Sequence, residues 1–397
     1  MFEFIPKGFY YDFVGTRRFW AYASLISSAI SLVLFIVVGP RWSIDFTGGT
    51  EIELHFEGSV AIADVREALE GVGVGEDAVT QVGDPSANQF ALRMQGDTAA
   101  KETDLTAVRS TLEAAHGKDW IESFEVENEV GARVSLVYKG PPLSADTIAK
   151  ELSGITGVSV QGGTDENSVY VRLPGVSESV KAALTAAMPG NALTIDRADS
   201  VGPKVGSSLR TAGLTALVVS TILHLIYIAI RFDLSFAPGA TLCLVHDVLF
   251  TCGILVIFRQ EFGLSTVSAL LTLSGYSLND TIIVYDRIRE NGERYRKKDF
   301  GTLINDSINQ TLSRTIMTAL ATSLAMIPFL FIGGAVLQQF ALVMLIGITV
   351  GTYSSVYVAA PITLTLRHYE PAVRRIFGLS PAAPPPSTES AQSERPR

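Results

Sequence analysis

Three charged side chains lie within apolar stretches of this sequence, where an ionised group is costly. Asp280 belongs to the stretch GYSLNDTIIVYDRIREN at 275–291 and precedes the next charge, Asp286, by six residues. In a membrane helix that separation is roughly 9 Å along the axis, and an ionised carboxylate there costs about 2.5–3.5 kcal/mol. Asp247 lies midway along an earlier apolar run, and Arg314 opens a later one. These three residues are the first candidates for a proton relay, with the two carboxylates able to bind and release a proton and Arg314 able to supply a fixed positive charge.

Asp280 and Arg314 have similar depths from the polar side, so they could meet as a carboxylate–guanidinium pair that offsets part of each burial cost. The structural interpretation is an ion pair that fixes helix packing. The functional interpretation is a protonation switch, because the charge of a buried carboxylate responds to small changes around it. Membrane burial favours the switch at Asp280. Both interpretations stay open for Arg314, which could snorkel to the interface, and for Asp247, which His246 or a nearby hydroxyl could satisfy.

Small and hydroxyl side chains crowd the runs that contain Asp280 and Arg314. They are Ser265, Thr266, Ser268, Ser274, Gly275, Ser277, Thr315, Thr318, Thr322 and Ser323. In membranes this composition usually indicates close helix packing, and a hydrated proton path lined by hydroxyls is the alternative. Asn279 and Thr281, which flank Asp280, and His246, which precedes Asp247, are the predicted supporting polar groups.

The positions of the apolar runs predict a multi-pass membrane protein. Of the 397 residues, 47% are apolar, and the mean hydropathy is +0.30. A membrane-spanning helix needs about 20 apolar residues. Six runs meet this length, at 19–39, 208–230, 236–258, 264–285, 315–333 and 338–365. The predicted fold is therefore a bundle of six transmembrane helices with an external α+β domain between the first two.

Charge separates the predicted external domain from the rest of the chain. Residues 43–206 contain 26 Asp/Glu and 12 Lys/Arg, a net charge of −14, and the remaining residues sum to +5. Lys and Arg cluster before the first span, after the fourth and after the sixth. With six spans all three clusters fall on one side, which the positive-inside rule makes cytoplasmic. We therefore expect both termini in the cytoplasm and the acidic domain, 43–206, on the outer side of the membrane.

The same composition argues against several other classes of protein. An acidic soluble segment does not suit nucleic acid. The two cysteines fall in one hydrophobic run, and the five histidines are scattered, so we predict no disulfide framework, metal site or cofactor. The predicted divisions are 1–42 for the N-terminus and first span, 43–206 for the external domain, 207–370 for five further spans, and 371–397 for a disordered tail.

The external domain resembles itself at a period of about 70–80 residues. Alternating strands and amphipathic helices occur in both halves, and VGARV at 130–134 matches VGPKV at 201–205. The pattern predicts two units, about 51–135 and 141–206, each a ferredoxin-like α+β module. The alternative is that any two α/β segments look alike at this level.

Two glycine-containing motifs flank this domain. Their candidate residues are Asp45, Gly48 and Gly49 after the first span, and Gly202, Pro203 and Gly206 before the second. Such motifs suit turns at a junction between a domain and a membrane. The functional alternative is a joint that transmits motion, and the two interpretations stay open.

Taken together, these motifs resemble the SecF family, the smaller of the two large subunits of the SecDF protein-export complex in the resistance–nodulation–division superfamily. The resemblance rests on IPK (5–7), DFVG (12–15), DFTGG (45–49), VGPKVG (201–206), RFD (231–233), HDV (246–248) and above all 275–291. The sister subunit SecD shares the architecture, but NDTIIVYDRI is of the SecF type. Members usually have one small external module, whereas two are predicted here.

The resemblance implies a function and a set of partners. SecDF works beside the SecYEG channel and uses the proton-motive force to draw unfolded preprotein out on the far side. Asp280 would be the proton-path carboxylate and Arg314 its cationic partner; SecD, SecYEG and, as a further candidate, YajC would be the partners. No bond is made or broken, so no enzyme is expected. The alternatives are a small-molecule or lipid exporter of the same superfamily and a structural scaffold.

Overall fold

The computed structural model describes residues 9–70, 74–75, 78–82, 87–94, 102–127, 133–155, 158–165, 167–173, 176–232 and 236–366. The predicted disordered tail, 371–397, lies outside this range, as do residues 130–132 of the repeated VGARV motif. The described chain forms two compact units: one comprises Met1–Arg41 and Leu214–Arg397, the other Trp42–Gly213. We call the first the membrane unit and the second the α+β unit.

The helices of the described chain are α1 (Arg17–Val37), α2 (Ile44–Thr47), α3 (Ile62–Glu70), α4 (Glu102–His116), α5 (Ala145–Glu151), α6 (Val176–Ala187), α7 (Pro203–Arg231), α8 (Ala237–Ile257), α9 (Leu264–Arg294), α10 (Phe300–Ile332) and α11 (Gly334–Ser354). The strands are β1 (Arg41–Trp42), β2 (Gly49–Phe56), β3 (Val79–Val82), β4 (Gln89–Met94), β5 (Ile121–Glu127), β6 (Arg133–Tyr138), β7 (Ser159–Gly162), β8 (Ser168–Arg172), β9 (Leu193–Val201) and β10 (Glu261–Phe262). After α11 the helix continues through one π-helical segment, Ser355–Ala359, to Leu366.

Six helices in the described residues are long and apolar enough to cross a membrane, as the sequence predicted. They are α1, α7, α8, α9, α10 and α11 with its continuation. Two of them, α9 and α10, extend well beyond the apolar runs that marked them. α9 continues past the predicted end at 285 to Arg294, and α10 begins at Phe300 rather than 315.

Local interactions explain these extensions. The charged end of α9 has ion pairs one turn apart, Arg287 with Glu290 and Arg289 with Glu293, which support a helix outside the apolar layer. Asp299 caps α10 by accepting a hydrogen bond from the Thr302 amide at 3.1 Å. Hydropathy marks only the apolar part of such helices.

The N-terminal segment is held against the charged end of α10 by side-chain amides. Asn305 accepts hydrogen bonds from the backbone amides of Phe13 (2.8 Å) and Val14 (3.2 Å) and donates to the Tyr11 carbonyl (3.0 Å). One turn on, Asn309 accepts from the Tyr11 amide and donates to its carbonyl, both at 2.9 Å. These bonds satisfy the backbone amide and carbonyl groups of residues that lie outside the helices and strands.

The α+β unit contains two antiparallel four-stranded sheets. In the first, the strand order is β3-β4-β2-β9; in the second it is β5-β6-β8-β7. Alternate residues of β2 face a core with α3 and α6: Ile52 and Leu54 pack with Val65 and Leu184. The second core combines residues of β6 and β8 with α4 and α5. Each sheet is thus covered by two amphipathic helices.

The sheets do not follow the predicted repeat boundaries. The first sheet takes β2, β3 and β4 from the predicted unit 51–135 but β9 from the unit 141–206. The second sheet, with α4 and α5, is inserted between β4 and α6. The local pattern of a helix followed by a strand fits either sheet. Only the pairing of strands across the whole unit shows that α6 and β9 belong to the first sheet. The duplication and the ferredoxin-like character of each module stay predictions.

The two junction motifs meet inside the α+β unit. β2 begins at Gly49, which pairs with Val201 of β9, and α7 begins at Pro203, a favoured first helical residue. Gly48 has a φ of +74°, and a Cβ there would lie 2.7 Å from the Pro203 Cα. A Cβ at Gly206 would lie 2.8 Å from the Gly48 amide nitrogen. The backbones before β2 and at the start of α7 are therefore in direct contact.

This contact predicts that Gly48→Ala destabilises the protein more than Gly117→Ala does. Both glycines have positive φ, but a Cβ at Gly117 meets nothing within 4 Å, so the control carries the conformational strain alone. The collision at Gly48 adds about 1–3 kcal/mol, or roughly 2–4 °C per kcal/mol in the thermal unfolding midpoint. The measurement is thermal unfolding of the purified full-length chain. Equal losses for the two variants would show that the backbones can separate freely.

Candidate functional site

Asp247 and Asp280 are both fully buried in the membrane unit. Asp247 lies midway along α8, and Asp280 lies in α9, sixteen residues after its start at Leu264; each side chain is 0% exposed. Both predicted carboxylates therefore lie inside the bundle rather than on its surface. Their hydrogen bonding differs completely.

Asp247 is surrounded by polar partners from three helices. Ser277 of α9 and Ser354 of α11 donate hydrogen bonds to its Oδ2, the second at 2.8 Å. His246 Nδ1 lies 2.9 Å from Asp247 Oδ1, and Tyr353 OH lies 2.7 Å from His246 Nε2. We call these five residues the Asp247 network. The sequence had left open whether His246 and hydroxyls satisfy Asp247, and in the structure both do.

The network extends along the helices through weaker contacts. Cys243, one turn before Asp247, donates to Ser354 Oγ at 3.2 Å. Thr281 Oγ1 lies 4.0 Å from the Cys243 sulfur and donates to the Ser277 carbonyl at 3.3 Å. The π-helical segment begins immediately after Ser354, and such segments are frequent at functional sites.

Sequence reasoning missed the contributions of Tyr353, Ser354 and Cys243. The available signal was polarity, because Tyr353-Ser354-Ser355 interrupts an otherwise apolar run. Only the packing of α11 against α8 and α9 shows which of these side chains face Asp247.

Asp280 lies one turn beyond this network and has no comparable partners. It follows Ser277 by three residues, about 4.5 Å along the helix axis. Both carboxylate oxygens are buried without a hydrogen-bond partner among the described residues. On α10, Thr315 Oγ1 is likewise buried and unpartnered there. Buried polar atoms are nearly always paired in native structures, so this side chain needs a proton, a cation or a group from another subunit.

The predicted ion pair between Asp280 and Arg314 is not formed within the described chain. Arg314 is exposed on α10, whereas Thr311 and Thr315 are buried on the inward face. Asn279 is also exposed, since one residue of a helix turns the side chain by about 100° from the buried Asp280. Of the predicted supporting groups, His246 and Thr281 face the interior and Asn279 does not.

The arrangement offers no obvious metal site. Among the residues that the structure describes, no group of three or more His, Cys, Asp or Glu side chains could hold a metal ion. The two carboxylates instead suit proton chemistry: Asp247 on α8 is hydrogen-bonded to Ser277 of α9, and Asp280, one turn after Ser277, has no partner among the described residues.

Removing donors from Asp247 is predicted to destabilise the bundle. Ser277→Ala and Ser354→Ala each delete one hydrogen bond to a buried carboxylate, at an expected cost of about 1–2 kcal/mol. Ser268→Ala, on the exposed side of α9, is the matched control and should change stability by less than about 0.5 kcal/mol. The double variant should be non-additive, because both serines share one acceptor. Thermal unfolding of the full-length chain in detergent measures all four; losses no larger than the control's would contradict the network.

Comparison with known proteins places these features in a family. A family model described as "Protein export membrane protein SecD/SecF, C-terminal" matches residues 179–369. A second, described as "SecD/SecF GG Motif", matches residues 33–60, which contain Gly48 and Gly49. The matches thus include the junction motif after α1 and the five helices from α7 onward.

Full-length relatives agree with these models. Protein translocase subunit SecF of Magnetococcus marinus is 34% identical over 370 residues, covering 93% of this chain and 95% of the relative. SecF of Rhodobacter capsulatus is 34% identical over 364 residues, covering 91% and 90%. Protein translocase subunit SecDF of Thermus thermophilus is 34% identical over 360 residues, covering 90% of this chain and 39% of the longer relative.

A solved structure matches the fold as well as the sequence. The crystal structure of SecDF from Thermus thermophilus, described as a translocon-associated membrane protein, superposes with a TM-score of 0.62 at 30% identity. The superposition covers 91% of this chain and 39% of the SecDF chain. The chain therefore belongs to the SecF family of protein translocase subunits.

Proposed function

We propose that this protein uses proton movement through its membrane unit to promote the passage of unfolded preprotein across the membrane. The observation that carries the proposal is the state of Asp280, a fully buried carboxylate whose two oxygens have no partner among the described residues. An intramembrane ionisable residue of this kind is costly to keep. Reversible protonation gives it a use that packing does not.

Asp247 and Asp280 have different parts in this proposal. Asp247 already has hydrogen-bond contacts with Ser277, Ser354 and His246, so its side chain is held in place. Asp280 lacks such bonds, and its proton is therefore the one that can exchange. Ser277 lies between them, bonded to one carboxylate and one turn from the other. We propose that Asp247 and His246 form the fixed part of the proton relay, and that Asp280 gains and loses the proton. Thr281 contributes a hydroxyl group beside them.

The outward polar residues support a membrane partner. Arg314 and Asn279 are exposed on the spanning helices α10 and α9, and an arginine or amide facing lipid is costly. A second membrane subunit packed against these two helices would satisfy both residues and bring the Arg314 side chain, after a rotamer change, towards the proton path. In the Thermus thermophilus relative this chain corresponds to 39% of a single SecDF polypeptide. We propose SecD as that partner in a heterodimer. We propose the SecYEG channel as the next partner of this heterodimer, and YajC as a further candidate.

Proton movement supplies enough energy to bias a domain motion. One elementary charge crossing 100 mV yields about 2.3 kcal/mol, a population shift of roughly fiftyfold. We propose that the contact between Gly48 and the start of α7 is the joint through which helix movements reach the α+β unit.

The proposed topology is a bacterial inner-membrane protein with both termini in the cytoplasm and residues 43–206 outside. The work is mechanical, so no bond is made or broken and the protein is not an enzyme.

Asp280→Asn tests this function directly. The amide keeps the shape of the side chain but cannot exchange a proton, so preprotein export should fall to the level of cells that lack the protein. Asp286→Asn is the matched control, because Asp286 is exposed six residues later on the same helix and its loss should leave export nearly unchanged. Pulse-labelled processing of a presecretory protein gives the rate, with membrane levels checked by immunoblot.

The opposite result has a clear meaning. Normal export with Asp280→Asn at a normal membrane level would rule out proton exchange at this position. Copurification with SecD but not as a homotrimer would separate the translocation function from an exporter of the same superfamily.

A further inference from the structure

A groove on the membrane unit has features that the translocation function does not use. It lies between α1, α8 and the continuation of α11, with a volume of about 680 Å³, within the range of ligand pockets. Its walls are mostly apolar, with Leu25 on α1, Leu242 and Val245 on α8, and Tyr357 after α11. Arg17 and Arg18 line one end. We call it the α1 groove.

The α1 groove has the depth of one membrane leaflet. Along α1 the lining residues run from Arg17 to Ser28, a rise of eleven residue steps or about 16 Å of helix. The hydrocarbon core of a bilayer is about 30 Å thick, so one leaflet takes about half of this. On the continuation of α11, the lining runs from Leu366 back to Tyr357, so apolar side chains from this helix face α1 along the groove.

Charge is confined to the mouth of the groove. Arg17 and Arg18 begin α1, immediately before its apolar residues. Arg17 Nη1 donates to the Val14 carbonyl at 3.0 Å, which holds that guanidinium at the end of the helix, while Arg18 is exposed. Two adjacent guanidinium groups at the membrane surface favour a phosphate, because arginine binds phosphate oxygens in a planar, bidentate manner.

We propose that the α1 groove is a binding site for one anionic glycerophospholipid, with the headgroup phosphate at Arg17 and Arg18 and an acyl chain along the groove. Basic pockets between transmembrane helices bind anionic headgroups in this way. The length and the apolar walls fit an acyl chain better than a peptide, whose backbone polar groups would lack partners there.

The site has a structural consequence, since His246 lines the groove as well as belonging to the Asp247 network. A bound acyl chain covers this side of the network and keeps water from it. The lipid therefore contributes to the seal around the buried polar groups.

Native mass spectrometry of the purified, delipidated full-length chain tests the proposal. Phosphatidylglycerol and phosphatidylcholine of identical acyl chains are added in equal amounts, and one retained phosphatidylglycerol per chain is expected. Arg17→Gln/Arg18→Gln should lower its affinity roughly ten- to thirtyfold and leave the weak binding of phosphatidylcholine unchanged. Arg374→Gln/Arg375→Gln removes the same charge elsewhere in the sequence and should change the affinity less than about twofold.

A second pair of variants tests the groove itself without changing charge. Leu242→Trp fills it and should reduce retention of both lipids, whereas Leu223→Trp, on the exposed surface of α7, should not. If the double arginine variant fails to accumulate, Arg18→Gln alone serves, because the Arg18 side chain is exposed. Equal retention of the two lipids by the unaltered protein, or losses that the control pairs match, would overturn the proposal.

Discussion

A polar group within a helix bundle surrounded by hydrocarbon must find its partner inside the protein, and the membrane unit is arranged around this requirement. Asp247 meets it with Ser277 from α9, Ser354 from α11 and its neighbour His246. These bonds join three helices through one carboxylate and define their relative positions. Asp280, one turn after Ser277 on α9, has no such bonds in the described chain. The contrast between the two residues is the basis for assigning one a fixed role and the other a changing one.

The same requirement identifies two surfaces of the membrane unit for which we propose a bound partner. Arg314 and Asn279 are exposed on the described part of the bundle, and we propose that another membrane subunit provides their partners. At the mouth of the α1 groove, Arg17 and Arg18 present charge at the membrane surface beside an apolar channel. A protein subunit suits the first surface, because two different polar groups there need directed hydrogen bonds. A lipid suits the second, because one charged end and one apolar length match its two parts.

Much of the architecture could be predicted from the sequence because it depends on local pattern. Six apolar runs identified all six spanning helices, and alternation in residues such as Ile52 and Leu54 identified strands of the α+β unit. The ends of α9 and α10 were missed, since ion pairs and a cap stabilise them rather than hydropathy.

Other features depend on contacts between distant segments. β2 pairs with β9 across more than 130 residues, so no local pattern reveals which helix–strand pair completes which sheet. Similar depth suggested an ion pair between Asp280 and Arg314, but depth along a helix does not specify the face, and the two side chains lie on different faces. Burial of Asp280 and Asp247 followed from the apolar sequence around them; the bonds from Ser354 and Tyr353 required the packing of α11.

The proposed function depends on the gain and loss of a proton by Asp280 itself. Infrared difference spectroscopy of the full-length protein in membranes, recorded across a pH jump, detects this through the carbonyl stretch of a protonated carboxyl group. We expect a band that disappears in Asp280→Asn and persists in Asp286→Asn. A band that persists in Asp280→Asn but disappears in Asp247→Asn would contradict it and would move the exchangeable proton to the Asp247 network.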